Sequence, residues 1–396
     1  MTLAPTIATG AAASSWRDKA RALGPMIDAA AAADEAITEL SPQVVAAMDA
    51  AGLFAMMAPR EVGGSEAHPI AILDTIAELS YWDGSAGWYA HAVMTGGSVA
   101  GAYLGPRAVE AIFPGGRFVH AAGQAAPTGK AEKVGDSYRI SGRYAFGSGT
   151  PNAQWIVGGY VLHEDGKPVM SDWGQPVLLI GLAPRDTVRF HGNWNVLGLR
   201  GTGSYDFEVP EQLLHADFFH NTVAPRAPRG GPLYRMGFMA LPCIAHGGFA
   251  LGAARRMLDE WLKFARAKPR EGGRPASEMQ TFQRDFAQAT AELHAAEAYM
   301  KQTFTRLFDA ASAGEPITTE MQVDGRLSTS HALIVAVRIA QAAFSASTTQ
   351  GLRNGSAIQR CFRDINAGNA HFLTAEQSVI DAGKVLAGVA GAVVIF

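Results

Sequence analysis

The residues whose types suit them to chemistry are two histidines, a serine held between glycines, and one glycine-bounded loop. His371 lies in AGNAHFLT, residues 367–374. An imidazole near its ordinary pKa can donate a hydrogen bond to a reacting oxygen or take up a phenolic proton; the same residue could also be a satisfied histidine at a helix start after Asn369. His91 follows Trp88 and Tyr89 in GWYAHAVMT. Such a cluster either lines an apolar pocket with one orienting donor or packs a helix onto its neighbour. Ser148 sits in FGSG after an alternating run, where a hydroxyl and backbone amides can approach a flat ligand, or where a serine simply makes a turn. Trp155 would be a wall beside it or a core side chain. Gly123, Gln124 and Thr128, in GQAAPTG, offer backbone donors and one hydroxyl to a phosphate or a flat cofactor. Arg266 and Arg270 close a helix, where exposed arginines are ordinary partners of the helix dipole. No G-x-G-x-x-G follows a strand and opens a helix, so a Rossmann dinucleotide site is not expected.

Three stretches must position these residues. Residues 1–116 read as a helical domain: Ser41-Pro42 is a cap with a first-turn proline, Leu40, Val44 and Met48 recur at four-residue spacing, and Gly52 is a stop. Further helices are expected at Ala71–Leu79 and Ala86–Tyr103. Residues 117–228 change to strand period, with Tyr138, Ile140, Tyr144 and Phe146 on one alternating face after the Gly135-Asp136 turn. Short runs at Trp155–Leu162, Pro176–Leu182, Thr187–Phe190 and Tyr205–Val209 predict a small antiparallel barrel or sandwich. Residues 229–396 return to helix period, and four amphipathic helices predict a bundle. The fold class expected is α+β, mostly α.

Bulk properties narrow the functional classes. With 396 residues and 48% hydrophobic content the chain is expected to form two or three domains. A net charge of −3 with scattered Lys and Arg argues against a nucleic-acid partner. Cys243 and Cys361 have no metal-ligand spacing, so no metal is expected and both read as reduced, buried thiols. The start lacks a signal-peptide pattern, and the apolar tail 385–396 is too short and glycine-broken to span a bilayer, so a cytoplasmic location without membrane contact is expected.

The order helices, β module, helices resembles the acyl-CoA dehydrogenase superfamily along nearly the whole chain. The resemblance rests on Met48–Gly64 (MDAAGLFAMMAPREVGG), Tyr144–Trp155 (YAFGSGTPNAQW), the Gly-x-Arg-x-Thr-x-Ser segment inside Trp194–Pro210, and Gln359–Asp364 (QRCFRD) before the last helix. It implies an N-terminal helical domain, a central β-barrel and a C-terminal four-helix bundle. The dehydrogenases' catalytic glutamate is missing: its region carries His371, and their acidic phosphate-site pattern is replaced by Gly123–Gly129. The chain is thus more similar to the superfamily's two-component flavin-dependent monooxygenases, such as hydroxyphenylacetate hydroxylases and desulfurisation enzymes. That likeness implies reduced FMN or FAD as cofactor and O2 as co-substrate. A flavin C4a-hydroperoxide would then oxidise a small aromatic or heteroatom-bearing substrate in a dry pocket.

It further implies a separate NAD(P)H:flavin reductase as partner and a homotetramer. His371 leads as the catalytic residue, with His91 and Ser148 beside it. Gly123, Gln124, Thr128, Ser148, Trp155 and Arg266 become flavin-binding candidates, and Trp88, Tyr89 and His91 substrate-binding ones. Arg363-Asp364 reads as a structural ion pair or a cofactor-edge contact. Two rivals remain. One is an acyl-thioester dehydrogenase or oxidase with bound FAD, using Glu260 or Glu376 as base; the other is a non-catalytic relative of the same fold.

Overall fold

The computed structural model describes residues 15–172, 174–222, 227–267, 273–374 and 376–392. The N-terminal start, Arg270 and the last four residues, on which the sequence reading also drew, lie outside them.

The chain opens with α1 (Trp16–Ile37), α2 (Pro42–Ala50), α3 (Pro69–Trp82), α4 (Gly84–Tyr103) and α5 (Pro106–Ile112). Local chemistry sets their starts. Ser15 and Asp18 form a reciprocal capping box on α1, His68 Nδ1 accepts from the Ile70 amide at α3, and Asp83 accepts from the Ala86 amide at α4. Gly52 stops the stretch after α2 with φ +75°, as expected. The α4 helix is buried on nearly every face because it is built of small residues. At Gly96 a β-carbon would lie 2.2 Å from the Ala121 carbonyl, so the helix reaches the sheet only because that side chain is missing.

One eight-stranded sheet follows: β1 (Ala121–Val134), β2 (Ser137–Gly147), β3 (Trp155–Glu164), β4 (Lys167–Pro168), β5 (Leu178–Pro184), β6 (Arg189–Phe190), β7 (Tyr205–His215) and β8 (Phe219–Asn221). The strand order is β6-β7-β2-β1-β3-β5-β8, with β4 paired to β3. The expectation of an antiparallel sheet needs correcting, since β1 and β3 run parallel, Ala121 opposite Trp155. Period-two reasoning detects a strand but not its partner's direction. The alternating face also breaks. Ile140 and Tyr144 are buried, yet Phe146 is 60% exposed with φ +64°, inside a register shift between Tyr144 and Gly147. A second shift on β1, between Gln124 and Gly129, turns Ala125–Thr128 outward.

The helical remainder comprises α6 (Ala240–Ala267), α7 (Gln280–Ala313), α8 (Thr319–Ser347), α9 (Ala357–Asn369) and α10 (Glu376–Leu386). QRCFRD forms part of α9 rather than a link before a helix, and the predicted Leu333–Phe344 helix is the second half of α8. Helix α8 is long and apolar enough to cross a membrane by length and composition, but it is packed between α6, α7 and α9. The molecule is therefore mixed α and β and mostly helical, and one large core cluster runs from Ala20 to Leu373 through all three regions.

Candidate active site

The site lies where α4, α6, the turn after α9 and the end of β2 meet. Trp88 and His91 are one helical turn apart on α4 and share a face. Their rings meet edge to face at 4.7 Å. Tyr89 points elsewhere and packs on Phe54 at 5.9 Å. It is a core residue of α4 rather than part of the Trp88 cluster.

Around Trp88 stand His246 at 5.0 Å, Phe249 at 5.0 Å and His371 at 5.8 Å. His246 lies between the other imidazoles, 4.5 Å from His91 and 4.3 Å from His371. His371 stands at the start of the short 3-10 turn Phe372–Thr374. It follows the C-terminal end of α9, its amide donating to the Gly368 carbonyl at 3.2 Å. The close approach of α9 depends on Gly368: a β-carbon there would meet the Phe249 ring at 2.3 Å and the Trp88 ring at 3.1 Å.

All three histidines are held neutral. Burial pushes His246 down to about 4. Burial, with the neighbouring imidazoles, holds His91 well below its ordinary value. Burial, then the charges of His246 and Arg326, does the same for His371. Neutral rings have one donor and one acceptor nitrogen, and their neighbours assign them. His246 Nδ1 lies 2.7 Å from the Pro242 carbonyl, which can only accept, so this nitrogen carries the proton and Nε2 is a bare acceptor. The Leu373 amide donates to His371 Nδ1 at 3.4 Å, leaving the proton on Nε2. The Nε2 atoms of His91 and His246 are buried without a hydrogen-bond partner among the described residues, which is costly unless a ligand supplies one.

Ser148 joins this cluster to the sheet. Trp88 Nε1 donates to Ser148 Oγ at 3.1 Å; Ser148 and Ser204 are 2.7 Å apart, and Ser204 and Thr202 2.6 Å. Thr202 Oγ1 donates to the Leu199 carbonyl at 2.7 Å. One proton per hydroxyl then fixes every direction: Trp88 gives to Ser148, Ser148 to Ser204, Ser204 to Thr202, and Thr202 to Leu199. Ser148 Oγ is thus left with one open acceptor position.

The loop carrying Thr202 and Ser204 is tied to α9 by the Arg363-Asp364 pair. Asp364 accepts from the Leu199 amide at 2.6 Å; Arg363 donates to the Leu197 carbonyl at 2.8 Å and pairs with Glu35. Burial and the nearby Asp83 push the Asp364 carboxyl up; burial pushes Asp83 up, against the charge of Arg360 at 3.6 Å.

The other predicted residues scatter. Gly123, Gln124 and Thr128 surround the β1 bulge; Gln124 Oε1 accepts from the Ala126 amide at 3.1 Å, and Thr128 donates to the Arg143 carbonyl at 2.8 Å. Trp155 stacks on Phe218 at 5.5 Å, in a core cluster apart from Trp88 and Ser148. Arg266 is exposed in the last turn of α6, about 30 Å along the helix from His246. His246 and Phe249 escaped the sequence reading, and Ser204 entered it only as the serine of the Gly-x-Arg-x-Thr-x-Ser segment. His246 sits in CIAHGGFALG, where no polar neighbour signals a role.

Residues 244–376 match the family model described as acyl-CoA dehydrogenase, C-terminal domain. The indole-3-acetate monooxygenase of Pseudomonas putida is 28% identical over 357 residues, covering 88% of this chain and 87% of that protein. The flavin-dependent monooxygenase oxygenase subunit HsaA of Rhodococcus jostii (strain RHA1) is 26% identical over 370 residues, covering 88% and 92%. The crystal structure of the HsaA monooxygenase from M. tuberculosis superposes with a TM-score of 0.87 at 23% identity, covering 96% of this chain and 99% of that one. The chain is similar to the acyl-CoA dehydrogenase superfamily, whose C-terminal domain it carries over residues 244–376. Within it, the relatives it resembles are flavin-dependent monooxygenases.

Proposed function

We propose that this chain is the oxygenase component of a two-component flavin-dependent monooxygenase, which takes reduced FMN or FAD from a separate NAD(P)H:flavin reductase and oxidises a small aromatic substrate with O2. The observation that carries this reading is the cluster of three neutral imidazoles around Trp88, of which His91 and His246 are buried with Nε2 atoms that have no hydrogen-bond partner among the described residues. Such a site excludes water and offers a few neutral donors and acceptors.

The residues suit a flavin. Ser148 presents an open acceptor, the β1 bulge at 125–128 presents outward backbone, and Phe146 stands exposed with an unfavourable φ, edge-on to Trp194 at 6.0 Å. A strained, exposed aromatic beside a hydroxyl is a natural support for a flat ring. When bound, reduced flavin supplies the electrons that activate O2. His371 Nε2–H donates to the reacting oxygen, or its ring receives a phenolic proton; His91 orients the substrate, and Trp88 walls it in. Gly123, Gln124 and Thr128 border the cofactor, and Arg266 would reach a flavin phosphate only across a subunit boundary.

The dehydrogenase reading fares worse. Glu260 is bound to Arg256 at 3.1 Å, and Glu376 is exposed. We also read residues 1–116, 117–228 and 229–396 as three domains, the second a β-barrel and the third a four-helix bundle. A homotetramer would bury the C-terminal apolar surface.

The test is reconstitution with a generic flavin reductase. Reduced flavin should be taken up, O2 consumed, and one atom of 18O2 should appear in an aromatic product. The isolated chain with free oxidised flavin should leave NADH untouched. Tightly bound FAD that is reduced by an acyl thioester, with no oxygen incorporation, would overturn the reading.

A further inference from the structure

Arg326 is an anomaly in the helical core. It lies on α8, is 7% exposed, and faces α6 and α10. A guanidinium is always charged, and burying it without a counter-charge costs several kcal/mol. Yet its hydrogen bonds go to neutral groups: it donates to Ser378 Oγ and, at 3.9 Å, to Cys243 Sγ. Burial raises the Cys243 pKa, so the thiol does not supply the charge. Asp381, a carboxylate that feels its charge, is engaged by Gln377 at 2.7 Å and Lys384 at 3.1 Å. Among the described residues no carboxylate pairs with Arg326.

Its position adjoins the site. Cys243 is one helical turn before His246 on α6, so the two share a face. Ser378 donates on to the Phe372 carbonyl at 3.4 Å, next to His371. The guanidinium therefore sits one turn beyond His246 and one bridging hydroxyl from the His371 turn. A flat substrate lying against the imidazoles and extending away from Ser148 would direct its far end toward Arg326.

We propose that Arg326 is the anchor for a substrate carboxylate, so that this site takes aromatic acids in preference to their uncharged analogues. The proposal rests on the oxygenase reading for the word substrate, but not for the anion site itself. A carboxylate would supply the missing counter-charge through charge-assisted hydrogen bonds. Planar guanidinium geometry would fix the ring's direction as well as its affinity. The ring end would then meet the acceptor Nε2 of His246, which favours a ring bearing an N–H or O–H.

The test is calorimetric binding, without flavin, of indole-3-acetate and of indole-3-acetamide, which share ring and size and differ in charge. The wild type should bind the acid roughly 10–100-fold more tightly. Arg326→Met should lose that preference by weakening the acid alone, and Arg326→Lys should retain part of it. The melting temperature of Arg326→Met should hold or rise, because an uncompensated buried charge has been removed. Equal wild-type affinity for acid and amide would overturn the proposal; this comparison needs no variant to fold. So would an equal loss of both ligands in a folded Arg326→Met, or a large drop in its melting temperature, which would make Arg326 a structural partner. Acid preference without flavin-dependent O2 consumption would refute the oxygenase reading and leave the anion site standing. Consumption without acid preference would do the reverse.

Discussion

The imidazole of His371 is fixed by the Leu373 amide on one nitrogen and stacked near His246 on its face. Its side chain is only partly buried, so truncation removes chemistry more than core. His371→Ala should leave the fold and reduced-flavin binding nearly intact while product formation falls by roughly 10²–10⁴-fold. O2 consumption should persist and appear as hydrogen peroxide. Product at the wild-type rate without extra peroxide would make His371 structural. A second residue-scale expectation concerns pH. The Asp364 carboxyl is raised in the folded protein, so between about 4, where the unfolded carboxyl titrates, and about 7 the folded state binds more protons. Stability from this group is present at low pH and lost as pH rises through that window. His246 and His220 are lowered to about 4, so the unfolded state binds more protons up to about 6.5, and their part rises with pH. The two trends oppose each other. Asp364→Asn, which can still accept from Leu199, should expose the histidine trend: its melting temperature should climb between pH 5 and pH 7 more steeply than the wild type's. Parallel profiles would refute this. His91 stands out in the sequence beside Trp88 and Tyr89, and His371 because it lies in the region where the resembled dehydrogenases carry their glutamate. His246 does not, because a lone histidine on an apolar helix reads as core until the fold brings two others to it.

At the scale of elements, the site depends on how closely α9 approaches α4 and α6. Gly368 allows it, as its missing side chain admits the Phe249 and Trp88 rings. Gly368→Val should push Trp88 away from Ser148, cost roughly 1–3 kcal/mol of stability by overpacking, and lower turnover more than reduced-flavin binding. Chemical denaturation and single-turnover product yield would check both; unchanged values would mean that α9 can shift freely. Most helices and strands could be foreseen from apolar period and punctuation, as with α2 from Ser41-Pro42 and β3 from Trp155–Leu162. The parallel pairing of β1 with β3 could not be, nor the outward turn of Phe146. Both are set by which strand lies alongside, and a strand's own residues do not encode that. The tie between Asp364 and the Leu199 amide was likewise invisible, being a contact between positions far apart in sequence.

At the scale of the molecule, the C-terminal region shows exposed apolar side chains at Phe372, Ile380, Leu386 and Val389. Lone exposed apolar residues are ordinary, and in the proposed tetramer these would lie in the subunit contact. Light scattering at micromolar concentration should give four times the chain mass, and Ile380→Glu with Leu386→Glu should lower it. A wild-type monomer would refute the tetramer.

The distribution of the site along the chain has a consequence for how the protein is made. Trp88 and His91 come from the first third, Ser148, Ser204 and His246 from the middle third, and His371 from the last. No fragment of the chain can assemble them. Contacts so distant in sequence close late, after local helices and hairpins have formed. During refolding, helical circular dichroism should therefore return before ligand binding does. A nascent chain therefore lacks the complete site until His371 has emerged.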